Sequence, residues 1–187
     1  MRPQRVAIYG GSFDPPHLGH VLSVAWALAA TEIDEVWIVP TWKHAFDKKH
    51  GATFEERMSM CELAFDCFRN VDVLDVERRL GGVSRTLHTL EILKKEHGSA
   101  VFRLLVGADV LPTTDRWHRW EDVAKIASPL VVGREGYPLP EDCPVSIPNI
   151  NSTDVRSRLA HSEDLSGRVP TAVIEHIRSR GLYQGVE

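Results

Sequence analysis

Residues 6–20 constrain this chain more than any other stretch. A short run of β-forming apolar residues ends in Gly10 and Gly11, and His17 and His20 then open a helical segment. This order predicts a strand, a tight loop and a helix N-terminus. The glycines let a ligand approach the backbone, and a helix start offers unpaired N–H groups and the positive end of its dipole. Histidines three residues apart share a helix face and can donate to one anion, so we expect a phosphate here.

Other phosphate-binding motifs are excluded by the sequence, and a zinc site has less support. The segment has neither the G-x-x-x-x-G-K-[ST] pattern of a P-loop nor the G-x-G-x-x-G pattern of a dinucleotide fingerprint. A zinc site at His17 and His20 has no third ligand nearby in the sequence, and the H-E-x-x-H motif is absent. Two surface histidines in a turn would explain H-x-x-H alone. They leave the glycine pair and the Asp-Pro-Pro sequence at 14–16 unexplained.

Composition narrows the class of protein. A net charge of -4 and a pI near 6.1 argue against broad nucleic-acid binding, which usually needs a basic face. The longest apolar segment, residues 18–30, is too short to span a bilayer, and the first residues lead into a strand without a signal-like apolar region. We therefore expect a cytoplasmic protein with no membrane contact. Three cysteines without a CxxC pair predict buried free thiols.

Strand and helix patterns alternate along the chain. The predicted strands lie near residues 6–9, 35–40, 71–76, 101–106 and 129–134. Helices are predicted at 18–30, from Thr53 to about residue 68, from the 81–90 segment to about residue 97, and at 169–180. Together they predict one domain over residues 1–187, an α/β fold with an open parallel doubly wound (Rossmann-like) sheet of about five strands and helices on both faces. Its ligand pocket should lie between the first and fourth strands.

The segment Gly10-Gly11-Ser12-Phe13-Asp14-Pro15-Pro16-His17-Leu18-Gly19-His20 resembles the signature of the nucleotidyltransferase superfamily with the HxGH motif. Its Pro-Pro-His form looks most like the nicotinate or nicotinamide mononucleotide adenylyltransferases. The resemblance implies adenylyl transfer from ATP to the 5′-phosphate of the mononucleotide, with release of pyrophosphate and Mg²⁺ entering with ATP. It leans toward nicotinate. The choice between the two mononucleotides stays open, as does an oligomeric state.

The resemblance also implies the residues that bind ATP. The segment 150–156 is similar to the second signature of the family, Ile-Ser-Ser-Thr-x-Ile-Arg, with Asn151 in place of the first serine. The resemblance assigns His17, His20 and Arg156 to catalysis at the triphosphate of ATP. A carboxylate directly after a parallel strand, as at Asp109, suits a ribose hydroxyl pair on chemical grounds alone. The other residues expected to bind ATP are Gly10, Gly11, Ser12, Phe13, Gly107, Ser152, Thr153 and Lys48.

The resemblance places the pyridine mononucleotide at Thr86, Trp117, Arg134 and His44. An aromatic face such as that of Trp117 can stack on an electron-poor ring, whereas Trp120 is expected in the core. Arg85 and His88 depart from the Ser-Tyr-Thr-Val-Asp-Thr-Leu pattern usual in the family. The 41–52 loop is basic, and the resemblance implies that one basic residue in it contacts phosphate. The sequence leaves three candidates for this residue, Lys43, His44 and Lys48.

Two alternatives remain open. Another adenylyltransferase or cytidylyltransferase with the same motif, such as pantetheine-phosphate adenylyltransferase, would share His17 and His20. A nucleotide-binding sensor without turnover would also keep the phosphate site. Retention of both histidines and of Arg156 favours an enzyme.

Overall fold

In a computed structural model of the chain, the structure describes residues 2–43, 51–139, 141, 143 and 145–184. Six strands form one sheet, in the order β3-β2-β1-β4-β5-β6, and every neighbouring pair is parallel. The strands are β1 (Arg5–Gly11), β2 (Glu35–Pro40), β3 (Val71–Val73), β4 (Val101–Gly107), β5 (Ala127–Arg134) and β6 (Ser146–Ile147). The order reverses between β1 and β4, as predicted.

Helices cover both faces of the sheet. They are α1 (Leu18–Ala30), α2 (Phe54–Phe65), α3 (Val76–Leu80), α4 (Thr86–Glu96), α5 (Trp120–Ile126), α6 (Ser152–Ala160) and α7 (Thr171–Arg180), with a 3₁₀ helix at Leu111–Arg116. Alternate side chains of β1 point to opposite faces, as the pleat of a strand requires. Ala7 packs with buried residues of α1, α2, α6 and α7, whereas Val6 and Ile8 pack with residues of α3, α4 and α5. The doubly wound α/β prediction is confirmed.

Two strand predictions were wrong in detail. The third strand ends at Val73, and the chain turns into α3 three residues later. Asp75 forms ion pairs with Arg78 (2.9 Å) and Arg79 (3.4 Å), which are contacts at helical spacing, so local charge favours a helix here over a continued strand. The sixth strand was missed because its two residues are too few to leave a periodic pattern.

The cysteine prediction is only partly confirmed. Cys61, Cys67 and Cys143 are free thiols, but only Cys61 and Cys143 are buried. Cys67 follows the last turn of α2, which ends at Phe65 and not near residue 68, so its side chain is exposed. Among the described residues, no helix is long and apolar enough to cross a membrane.

Candidate active site

A cleft opens at the carboxyl ends of β1 and β4, where the strand order reverses. It contains two cavities, of about 540 Å³ and about 190 Å³. The walls of both include Gly10, Leu105, Val106, Val110 and Trp117, so the two cavities adjoin. A reversal in strand order leaves such a crevice because the flanking connections run to opposite faces of the sheet. This is the position predicted for the ligand pocket.

The smaller cavity brings together His17, His20, Asp109 and Arg134. His17 and His20 stack with ring centroids 3.7 Å apart and an angle of 22° between the rings. The His17 backbone N–H donates to Nδ1 of His20 (3.1 Å), so a neutral His20 carries its proton on Nε2 and can donate it to a ligand. Gly19 leaves room for the His17 ring, since a Cβ there would lie in tight contact with it, 3.0 Å from Nδ1.

Both histidines are neutral near physiological pH. Burial, assisted by the positive charge of Arg134, lowers the pKa of His17 to about 3. Burial, with His17 and Arg134 adding smaller effects, holds the pKa of His20 well below its usual 6.5. As neutral imidazoles, the pair can offer hydrogen bonds to a ligand. Nδ1 of His17 is buried without a hydrogen-bond partner among the described residues, an arrangement that is rare outside functional sites.

The depressed pKa values make stability depend on pH. Below pH 6.5 the unfolded chain protonates His17 and His20 while the folded chain does not, so stability present at neutral pH is lost as the pH falls toward 3. We expect each histidine to lower the free energy of unfolding by about 1.4 kcal/mol per pH unit. Urea unfolding at several pH values checks this. The His17→Gln/His20→Gln variant should show a shallower slope, and equal slopes would contradict the prediction.

Asp109 and Arg134 form an ion pair that also lines the smaller cavity. Arg134 Nη1 lies 3.1 Å from Oδ2 of Asp109, and its Nη2 donates to the Ile150 carbonyl (2.7 Å). Oδ1 of Asp109 is buried and has no hydrogen-bond partner in the described part of the chain. Gly107 leaves the space for this carboxylate, since a Cβ would overlap Oδ1. Arg134, expected near the pyridine mononucleotide, thus lies with the histidines.

The larger cavity brings together several residues expected on both nucleotides. Thr86 and Trp117 lie on its wall with Gly10, Gly11 and Ser12. Trp117 packs edge-on against Trp120, with ring centroids 5.4 Å apart, and Trp120 is partly buried against the core. Arg85, Arg116 and His118 also line this cavity.

The first turn of α6 packs on the loop that precedes α1. Asn151 caps the helix by accepting from the Asp154 N–H (2.9 Å), so neither Ser152 nor Thr153 is the cap. Instead, the Ser152 hydroxyl donates to the Pro15 carbonyl (3.0 Å). Arg156 donates to the Asp14 carbonyl (2.6 Å) and lies 3.4 Å from the Thr153 hydroxyl.

Other residues expected at the nucleotides lie elsewhere. Ser152, Thr153 and Arg156 line neither of the two cavities. The ring of Phe13 lies in the core, 4.8 Å from the His20 ring, so its side chain supports the histidine. At the start of α1, the Leu18 N–H donates to the Arg168 carbonyl (2.7 Å), which takes one of the amides expected to face phosphate. His44 and Lys48 lie outside the described residues.

Sequence reasoning missed the role of Asp14. Its carboxylate is buried and accepts from the Gly51 N–H (2.6 Å), the Ala52 N–H (3.1 Å) and the Tyr183 hydroxyl (2.7 Å). Arg156 Nη1 lies 3.9 Å from Oδ2 of the same carboxylate. Asp14 therefore joins the loop between β1 and α1 to the chain entering α2 and to Tyr183, three residues beyond α7.

Removal of the Tyr183 hydroxyl should destabilise the protein. Tyr183→Phe deletes a buried hydrogen bond to a carboxylate, and burial together with Asp14 raises the pKa of the phenol, so the hydroxyl stays a donor. We expect a loss of about 1.5–3 kcal/mol in the free energy of unfolding, measured by urea titration. Tyr137→Phe, at an exposed tyrosine, is the control and should change little. Equal stability of the two variants would contradict the prediction.

Two buried charges on the other side of the loop were also missed. Arg57 of α2 donates to the carbonyls of Ser12 and Thr41 (2.7 Å each) and so joins the ends of β1 and β2. Glu77 accepts from the Trp42 N–H (3.0 Å) and lies 3.3 Å from the Thr89 hydroxyl. A charged residue on the apolar face of α2 was the available signal for Arg57. In the described ranges, no group of three or more His, Cys, Asp or Glu side chains is arranged to hold a metal.

Comparisons with known proteins agree with this geometry. The sequence model of the family described as cytidylyltransferase-like matches residues 8–158. A probable nicotinate-nucleotide adenylyltransferase from Anaeromyxobacter sp. (strain K) is 43% identical over 185 residues, covering 97% of this chain and 98% of the relative. One from Myxococcus xanthus (strain DK1622) is 34% identical over 185 residues, with 98% and 97% coverage.

A solved structure shares the fold. It is the Plasmodium falciparum nicotinic acid mononucleotide adenylyltransferase complexed with NaAD, with a TM-score of 0.82 and 20% identity. The match covers 96% of this chain and 97% of that one.

Proposed function

Because the chain belongs to the cytidylyltransferase-like family and matches nicotinate-nucleotide adenylyltransferases over its full length, we propose that it transfers the adenylyl group of ATP to the 5′-phosphate of nicotinate mononucleotide. A phosphate oxygen of the mononucleotide forms a bond to the α-phosphorus of ATP. The bond from that phosphorus to the bridging oxygen breaks, and pyrophosphate leaves. The product is the dinucleotide, and the reaction is a step of NAD biosynthesis.

The pair of adjoining cavities carries this proposal. Two nucleotides must meet with their phosphates in contact and their bases apart, and the cleft offers two spaces that join at Gly10 beside the glycine loop. Trp117 borders both spaces. A single nucleotide site would need only one of them.

The smaller cavity suits the ATP phosphates and ribose. Nε2 of His20 is a neutral donor with a defined direction, and His17 stacks directly against it. Asp109 presents an unpaired carboxylate oxygen that can accept from ribose hydroxyls. Fixed donors that meet the charge developing on the α-phosphate lower the barrier because they need no reorganisation during the reaction.

The larger cavity suits the mononucleotide. The Trp117 ring can stack on the pyridine ring, and Thr86 lies on the same wall. Gly10 lines both this cavity and the one that contains the histidines, so it marks where the two spaces meet. A phosphate monoester is largely ionised at neutral pH, so its attack needs alignment and no protein base.

The remaining expected residues complete the proposal at the triphosphate. Arg156 donates to the carbonyl of Asp14, three residues before His17, and lies beside Thr153. We assign Arg156, Ser152 and Thr153 to the β- and γ-phosphates, with Lys48 as a further phosphate contact. The backbone of Phe13 is assigned to ATP, and His44 and Arg134 to the nucleotide contacts that the family resemblance implies.

The other proposals concern substrates and setting. We expect Mg²⁺ to arrive as part of the MgATP substrate and to keep much of its water shell. The described strands all belong to one sheet, which supports a single nucleotidyltransferase domain over residues 1–187. Cytoplasmic location and small-molecule partners only, with no nucleic acid, remain our proposals.

Pyrophosphate release from MgATP tests the function. Nicotinate mononucleotide and nicotinamide mononucleotide are offered separately at equal concentration, and the ratio of kcat/KM values identifies the preferred substrate. We expect turnover with nicotinate mononucleotide. No pyrophosphate release with either mononucleotide would reject the proposal. Turnover with phosphopantetheine would then point to another adenylyltransferase, and ATP binding without pyrophosphate release would point to a sensor.

A further inference from the structure

Arg85 stands apart from the other arginines around the cleft. Arg57, Arg134 and Arg156 each donate to backbone carbonyls, and Arg134 also pairs with Asp109. In the described part of the chain, the Arg85 guanidinium has no hydrogen-bond or ion-pair partner. It lines the larger cavity, and it also lines a neighbouring cavity of about 380 Å³ beside α4. The five N–H donors of this guanidinium thus have no acceptor among the described residues, on the wall of the larger cavity.

The backbone beside Arg85 is held in place. The Ser84 hydroxyl oxygen accepts from the N–H groups of Trp42 (3.0 Å) and Lys43 (3.1 Å), and the Ser84 N–H donates to the Lys43 carbonyl (2.9 Å). One turn into α4, the Thr89 hydroxyl lies 3.3 Å from the Glu77 carboxylate. These contacts tie the backbone next to Arg85 to the chain just after β2 and to α3.

The charges on the cavity wall favour an anion. Its charged side chains are Arg85, Arg116 and Glu77. Both Glu77 oxygens are already used, one by the Trp42 N–H and the other by the Thr89 hydroxyl. The Arg85 charge also reaches His118 on the same cavity, where it adds to desolvation in lowering the pKa of that imidazole. The wall of this cavity therefore carries two arginines against one glutamate, whose oxygens already accept hydrogen bonds from the protein.

We propose that Arg85 is a specificity-determining residue that selects a mononucleotide whose pyridine ring carries a carboxylate over one that carries a carboxamide. The proposal rests on the proposed function and deepens it. A guanidinium can donate two parallel hydrogen bonds to a carboxylate. A carboxamide offers one acceptor oxygen without charge, and its NH₂ group finds no acceptor on an arginine. Stacking of the Trp117 ring on the pyridine ring would serve both ligands, so it cannot make this distinction by charge.

The test compares both mononucleotides with four proteins: wild type, Arg85→Gln, Arg85→Lys and the control Arg69→Gln. Arg69 is exposed and lines none of the cavities described above. The kcat/KM for each mononucleotide is measured at saturating MgATP, with unfolding temperatures recorded for each protein. We expect Arg85→Gln to lower kcat/KM about tenfold for nicotinate mononucleotide, mainly through KM, and less than about twofold for the nicotinamide form. Arg85→Lys should give an intermediate ratio, and Arg69→Gln should match wild type.

The outcomes separate this proposal from the proposed function. Wild-type turnover tests the function, and the ratio between substrates tests Arg85. If wild type is active but the ratio is the same in Arg85→Gln, the role of Arg85 is rejected and the function stands. Equal losses for both mononucleotides in a folded variant would also reject it, because Arg85 would then act on the shared phosphate or on the loop. A wild type that is inactive with both would reject both proposals.

Discussion

His20→Ala is expected to lower kcat about a hundredfold or more while the protein stays folded. A preorganised donor aimed at developing charge is worth about 3 kcal/mol of transition-state stabilisation. His20 has this character, because its Nδ1 accepts from the His17 N–H and its Nε2 proton is left for the ligand. The KM for the mononucleotide should change little, since His20 lines the smaller cavity and not the larger one. Steady-state pyrophosphate release measures both constants.

Two further variants separate the donor from the ring. His20→Gln keeps a neutral N–H donor near the position of Nε2, so it should lose less activity than His20→Ala. His97→Ala removes a histidine that packs edge-on against Trp37, with ring centroids 4.7 Å apart, and that lines none of the cavities described above. It should retain wild-type kcat. A folded His20→Ala protein with unchanged turnover would remove His20 from the mechanism.

Asp14→Ala is expected to cost about 3–5 kcal/mol of stability, the range seen when one partner of a buried charged network is removed. The substitution leaves the Gly51 and Ala52 N–H groups and the Tyr183 hydroxyl without their acceptor. It also removes the carboxylate near Arg156. Urea unfolding followed by circular dichroism measures the loss.

A double-mutant cycle with Tyr183→Phe tests whether the network explains that loss. The two single changes share one hydrogen bond, so the double variant should be more stable than the sum of the single losses predicts. Asp66→Ala, at an exposed carboxylate after α2, should leave stability nearly unchanged. Additive losses for Asp14 and Tyr183 would show that their contact contributes nothing.

Much of the fold could be predicted from local pattern. The periodicity of apolar residues predicted α1 with its observed bounds, and β2 likewise, because each buries one continuous stripe or run. The third strand failed where charges at helical spacing, centred on Asp75, override the alternation of residues 71–76. The pairing of β6 (Ser146–Ile147) with β5 depends on the path of the chain after β5, and two residues show no hydrophobic periodicity that could predict it.

For the candidate site, several residues could also be predicted from the sequence, but their contacts could not. Motif spacing predicted His17 and His20, the position after a strand predicted Asp109, and the family resemblance predicted Trp117; the structure brings all four to one cleft. Their partners were not predictable. The Tyr183 hydroxyl meets an acceptor 169 positions away, and Arg57 meets carbonyls 45 and 16 positions away. Such contacts depend on the path of the whole chain and not on spacing.

By itself, the sequence determined the alternation of β1, β2, β4 and β5 with the longer helices, the glycine loop and the pair of histidines, because hydrophobic periodicity and backbone preference act over a few residues. Only the tertiary structure decided the states of the groups at that loop. Burial removes water from the histidines and keeps them neutral. The meeting of distant elements gives Asp14 its donors and leaves Arg85 without a partner among the described residues. Solvation and long-range pairing are properties of the packed chain, and no local stretch contains them.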